Sequence, residues 1–165
     1  VSFVDALLLM AASPRPIRFI MDHRIFAMPV LGSIFRLAKA IPVASQKEDP
    51  AIYANAFAEA DATLAAGDLL CIFPEGAITR DGELLPFKAG IMKVLATRPV
   101  PVVPMALQNL WGSFFSRVDG AAMTHPFRRG FYSSVRLMVG PPMAPETITP
   151  EALREVIAEL RGRLK

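Results

Sequence analysis

The chain has 165 residues, 53% of them hydrophobic, which is enough for one domain with a real core and too apolar for disorder throughout. A formal charge of +3 and a pI near 9.4 come without dense Lys/Arg blocks, which argues against nucleic acid as a partner. The single cysteine excludes an intramolecular disulfide framework and a multi-cysteine metal site, and it fits a reducing compartment. Mean hydropathy is positive, yet no run approaches the ~18 uninterrupted apolar residues of a spanning helix, so the chain can lie on a membrane but is not expected to cross one by itself.

In chain order, Ser2 to Ala12 predicts a helix, with Ser2 placed to cap it and Asp5 in the capping-box position three residues on. Residues 17–21, IRFIM, predict a short strand. From Arg24 to Ala38 a helical pattern of apolar residues, Phe26 and Phe35 among them, is broken by Pro29 and Gly32. Residues 40–44, AIPVA, predict a second strand. The clearest helix runs from Asp49 to Ala66, where Tyr53, Phe57, Ala60 and Leu64 recur at helical spacing before the stop signal of Gly67. DLLCIF then reads as a buried strand, AGIMKVLA as a short helix, residues 100–107 as a second buried strand edged by prolines, and residues 134–140 as one more. A final helix has Thr149 as N-cap and Pro150 at its first position, with Leu153, Val156, Ile157, Leu160 and Leu164 as its apolar face. This alternation predicts an α/β fold: a single layered domain over 1–165, with a mixed or largely parallel sheet flanked by helices.

Ligands of such sheets gather where strands end, and the apolar run Leu69 to Phe73 stops at Pro74-Glu75-Gly76. Taken alone, this tripeptide reads as a plain turn before it reads as a site, and Ser2 and Asp5 read as well as a cap with no chemistry attached. Arg80 and Lys88 have the charge to hold a phosphate, and Gly76 and Gly90 permit close backbone approach. Cys71, inside an apolar strand, reads as core rather than nucleophile. No G-x-S-x-G, G-x-x-x-x-G-K or H-E-x-x-H occurs, and His23 and His125 lie in basic, loop-like surroundings without an acidic partner at suggestive spacing. Neither histidine is expected to act, and no metal site is expected.

Together these residues resemble the phospholipid/glycerol acyltransferase family, typified by 1-acylglycerol-3-phosphate acyltransferase, over nearly the whole chain. The family's first motif is N-H-x-S-x-x-D, and VSFVDALLL matches it from just after the histidine, with Ser2 as its serine and Asp5 as its aspartate. Phe73-Pro74-Glu75-Gly76 match the third motif, Val103-Pro104 the fourth, and Phe87-Lys88-Ala89-Gly90 the F-K-x-G stretch that commonly follows the third. Four ordered matches outweigh the plain-turn and plain-cap readings. Two departures stand out. Two extra residues precede Thr79-Arg80, and Pro42-Val43-Ala44-Ser45 stands where the second motif usually carries its arginine. The latter is similar to the acyltransferase half of 2-acylglycerophosphoethanolamine acyltransferase fusions, which implies a less anionic acceptor.

The resemblance implies transfer of a fatty acyl group from acyl-CoA or acyl-carrier protein to the free hydroxyl of a lysophospholipid or acylglycerol phosphate, in phospholipid synthesis or remodelling. A histidine would act as general base with Asp5 orienting it, Glu75 and Gly76 would position the acceptor, and Arg80 and Lys88 would hold its phosphate. Ser2, Phe73 and Pro74 would complete the substrate site, and the acyl thioester is a co-substrate, with no other cofactor expected. Because the chain opens just after the motif histidine, it reads as truncated there and is expected to fold without turnover. The resemblance also implies a place on the cytoplasmic face of a membrane; Phe26 and Phe35 with Arg15, Arg18, Arg24, Arg36 and Lys39 suit a face resting on an anionic bilayer, and read as well as a core helix with a solvated rim. The alternative from another class is a catalytically silent lipid-binding or scaffolding module of the same fold.

Overall fold

The computed structural model describes residues 3–76, 84–108 and 135–162. The elements are α1 (Phe3–Ala12), β1 (Ile17–Asp22), a 3₁₀ turn (His23–Ala27), α2 (Leu31–Leu37), β2 (Ile41–Val43), α3 (Pro50–Ala65), β3 (Leu69–Ile72), α4 (Gly90–Thr97), β4 (Met105–Gln108), β5 (Arg136–Val139), a second 3₁₀ turn (Pro145–Thr147) and α5 (Pro150–Arg161). The α/β class is as expected. The chain divides into two compact units: one holds Ala6–Pro74 with Ala89–Pro99, the other Val1–Asp5, Glu75–Lys88 and Val100–Lys165.

In the first unit, β1 lies at the centre of a three-stranded parallel sheet of order β2-β1-β3, with Ile20 opposite Ile41 and Phe19 opposite Cys71. Phe19 and Met21 alternate into the core, and the Phe19 ring stacks on Phe73 with centroids 6.0 Å apart. The helix α3 is set in place by Asp49, whose carboxylate accepts the backbone N–H groups of Ala51 and Ile52, with Pro50 at the first position. Its buried stripe is Ala56, Ala60 and Thr63, so of the expected face only Ala60 is fully inward. Small side chains let the helix lie close to the sheet. The larger Tyr53 and Phe57 pack edge to face on its flank, under the Lys93 ammonium of α4.

The broken helical pattern after β1 resolves into the 3₁₀ turn and α2, separated at Pro29. The helix α2 ends in a Schellman arrangement: the Ala40 N–H reaches the Phe35 carbonyl at 2.9 Å and the Lys39 N–H reaches the Arg36 carbonyl at 3.0 Å. Lys39 adopts the left-handed conformation (φ 52) usually left to glycine, and Arg18 Nε donates to its carbonyl at 2.7 Å. The other Arg18 nitrogens bind Thr63 Oγ1 at 2.7 Å and Glu59 at 3.0 Å. Arg18 is thus a tie between β1, α3 and the chain entering β2, and Phe35 is fully buried; neither belongs to an outward basic and apolar face.

In the second unit, β4 and β5 pair antiparallel, with Leu107 opposite Leu137, and an isolated bridge joins Val102 and Met143. The continuous strand expected over 100–107 therefore begins only at Met105, because Pro101 and Pro104 have no N–H to give to a ladder. The cap of α5 is as expected, Thr149 Oγ1 accepting the Ala152 N–H at 3.1 Å. The helix buries Leu153 and is pinned to β4 where Gln108 Nε2 donates to the Leu160 carbonyl at 2.8 Å. Val156, Ile157 and Leu160 are half-buried, and Leu164 lies outside the described residues.

Candidate active site

Asp5 sits in the first turn of α1, half-buried, with its Oδ1 shielded from solvent. The Glu75-Gly76 turn leaves the C-terminal end of β3, the strand end where parallel sheets place their ligands. Although far apart in sequence, Asp5, Glu75, Gly76, Lys88 and the Val103-Pro104 pair all fall within the same compact unit.

The turn has a definite internal order. Gly76 takes φ +59, open to glycine at little cost, and Lys88 lies across it so closely that a Cβ at this position would come within 2.8 Å of Lys88 Nζ. The half-buried Glu75 turns its Oε2 to the backbone N–H of Leu85 at 3.1 Å. From α5, Arg154 donates to the Leu84 carbonyl at 3.0 Å. The result is an exposed ammonium laid over Gly76, an arrangement suited to an anionic group.

The other expected site residues divide clearly. Phe73 stacks on the core ring of Phe19, so its ring supports the strand that delivers the turn, and Pro74 is half-buried beside it. Val103 is exposed and Pro104 is buried. Ser2 and Arg80 lie outside the described residues, as does His125. Cys71 is half-buried by surface area, but burial pushes its thiol up to about 12, which keeps it protonated and inert at neutral pH.

His23 differs from the sequence expectation. At the C-terminal end of β1 its ring has Asp22 Oδ1 3.7 Å from Nδ1 and Glu48 Oε1 3.8 Å from Nε2. Glu48 is brought in by the turn after β2, a neighbour that linear spacing does not show. Both separations exceed hydrogen-bond range, and Glu48 is engaged instead by Arg24. Sequence reasoning also missed Arg154 and the Leu84–Leu85 peptide. A single arginine on an amphipathic helix carries no local signal, and its partner is a backbone group.

A profile of the Acyltransferase family matches residues 1–108. The chain is 32% identical over 105 residues to a 1-acyl-sn-glycerol-3-phosphate acyltransferase of Limnanthes douglasii, covering 63% of this chain and 37% of that protein. It is 31% identical over 127 residues to one from Cocos nucifera, covering 74% and 41%. The chain thus spans about two fifths of the length of these relatives. The fold is similar to the crystal structure of the 1-acyl-sn-glycerophosphate (LPA) acyltransferase PlsC from Thermotoga maritima, with a TM-score of 0.61 at 22% identity, over 96% of this chain and 63% of that one. With the profile spanning well over half its residues, the chain belongs to the Acyltransferase family.

Proposed function

We propose that the chain carries the acyl-transfer core of a glycerolipid acyltransferase, moving a fatty acyl group from acyl-CoA or acyl-carrier protein to the free hydroxyl of an acylglycerol phosphate or lysophospholipid. The observation that carries this reading is the gathering of Asp5 and the Glu75-Gly76-Lys88 turn in one unit, in a chain of this family whose relatives are named for 1-acylglycerol 3-phosphate.

In the reaction so proposed, the histidine of the first motif takes the proton of the acceptor hydroxyl, and Asp5 fixes its tautomer and stabilises the imidazolium. The hydroxyl oxygen bonds to the thioester carbonyl carbon, the C–S bond breaks, and the departing thiolate takes the proton back from the imidazolium. No acyl-enzyme is needed, and the acyl thioester is consumed as a co-substrate. Lys88, with Arg80 as its proposed companion, holds the acceptor's phosphate.

A bilayer surface is the proposed setting. No helix among the described residues is long and apolar enough to cross a membrane. The exposed apolar residues of the first unit include Met28 (45% exposed), Val30 (72%) and Leu37 (86%). Val30 and Leu37 are seven residues apart, two turns along one face of α2, and the exposed Arg36 and Lys39 flank them. Apolar residues edged by cations complement an anionic lipid surface. This stripe takes the place of Phe35 and Arg18, which the fold uses internally.

The reading is tested by offering labelled acyl-CoA and acyl-carrier protein, with 1-acylglycerol 3-phosphate and a panel of lysophospholipids, to a protein carrying the complete first motif. Transfer to at least one acceptor is expected. Saturable lipid binding with no transfer from either donor would replace this reading with that of a binding module.

A further inference from the structure

The amide of Leu85 and the carbonyl of Leu84 belong to one peptide group, and the two poles of that group are held from opposite sides of the chain. Glu75 Oε2 accepts the N–H at 3.1 Å, and Arg154 donates to the carbonyl at 3.0 Å. Three residues further on, Lys88 lies over Gly76. We infer that Glu75 and Arg154 are positioning residues: together they clamp the Leu84–Leu85 peptide and so set the path of residues 84–88, which lays the Lys88 ammonium over Gly76 as the anion-binding group of the site. Glu75 then acts through Lys88 rather than on the acceptor directly. Arg154, beyond the residues matched by the family profile, becomes part of the site's support.

Among residues 84–88 no helix or strand is formed, and the Leu84–Leu85 peptide is held by the two side chains named above. A charged partner at each pole makes both hydrogen bonds charge-assisted, the stronger kind, and a peptide fixed at both poles cannot rotate about its neighbouring dihedrals without losing one of them. That plane sets where the backbone leaves Leu85 toward Lys88. Glutamine at position 75 keeps an oxygen acceptor of the same reach, whereas alanine removes it.

The role of Lys88 as an anion group rests on the proposed function; the clamp itself does not. Hydrogen exchange of the Leu85 amide reads the clamp without any substrate. Glu75→Ala is expected to speed that exchange and Glu75→Gln to restore most of the protection, while Arg154→Ala, a change to an exposed side chain, is expected to speed it to a lesser degree. Exchange unchanged in both alanine variants, or Gln no better than Ala at position 75, overturns the clamp. In acyl-transfer assays, Lys88→Ala and Arg154→Ala are each expected to raise the acceptor KM by about tenfold, the loss of one charged hydrogen bond, with little change in kcat. The double variant is expected to be barely worse than Lys88→Ala alone, because both act through one ammonium. Fully additive effects would show that Arg154 does not act through Lys88. Absence of transfer in every protein, the unsubstituted one included, would count against the proposed function while the exchange measurements still decide the clamp.

Discussion

Cys71 and Glu75 are four residues apart and end up in opposite chemical situations, for reasons that lie in their immediate surroundings. The thiol is desolvated in β3, which pushes it up from 9.0 to about 12; the carboxylate, past the strand end, is turned onto a backbone amide. The thiol shift has a sign that can be checked. A folded-state pKa above the unfolded value means that the folded protein holds this proton more tightly, so the stabilisation is complete below about pH 9 and is lost as pH rises toward 12. Alkylation of Cys71 at pH 8 to 9 is accordingly expected to be slow in the native protein and fast in denaturant; equal rates in both would show that the thiol is not desolvated. The burial of Cys71 and the break in the chain at Pro74-Glu75-Gly76 were legible in the sequence, because an apolar strand and a Pro-Glu-Gly stop are local patterns. The destination of the Glu75 side chain was not, since its partner is the main chain of Leu85 ten residues on.

Elements followed the sequence wherever a local signal fixed their ends. Asp49 before Pro50 and Thr149 before Pro150 start α3 and α5 as read, since an oxygen-bearing cap and a proline at the first position act within one turn. The inward face of α3 was read one notch off, toward its aromatic residues. Helical spacing alone does not reveal that close approach to the sheet favours Ala56, Ala60 and Thr63. The segment around α2 shows a similar constraint at Gly32. A Cβ there would lie 2.9 Å from the Phe26 carbonyl carbon and closer still to its oxygen, which also accepts from Arg36. Gly32→Ala is therefore expected to cost about 1–3 kcal/mol in denaturant unfolding, as in overpacked cores, and an unchanged midpoint would contradict the packing. On the opposite side of the same helix, replacing Val30 and Leu37 with glutamate should leave the fold intact and weaken binding to phosphatidylglycerol-containing vesicles by at least about tenfold. Undiminished binding would remove this stripe from the proposed membrane face.

At the scale of the whole molecule, the parallel sheet and the antiparallel β4-β5 ladder belong to different compact units, a division that a strand-helix-strand rhythm does not announce. The motif pieces named from the sequence, at Asp5, Glu75-Gly76, Lys88 and Val103-Pro104, are separated by up to a hundred residues and nevertheless share one unit. Hydrophobic periodicity carries no information on such a grouping, which the motif resemblance alone suggested. The central claim is that Asp5 serves a base that activates the acceptor hydroxyl, so the most direct measurement compares kcat for acyl transfer by the protein with the complete first motif and by its Asp5→Asn variant, with folding checked by circular dichroism. The account predicts a folded variant slowed by about 10²- to 10⁴-fold, because an amide no longer holds the imidazole in its working tautomer. A folded Asp5→Asn protein turning over at near the unsubstituted rate would contradict it.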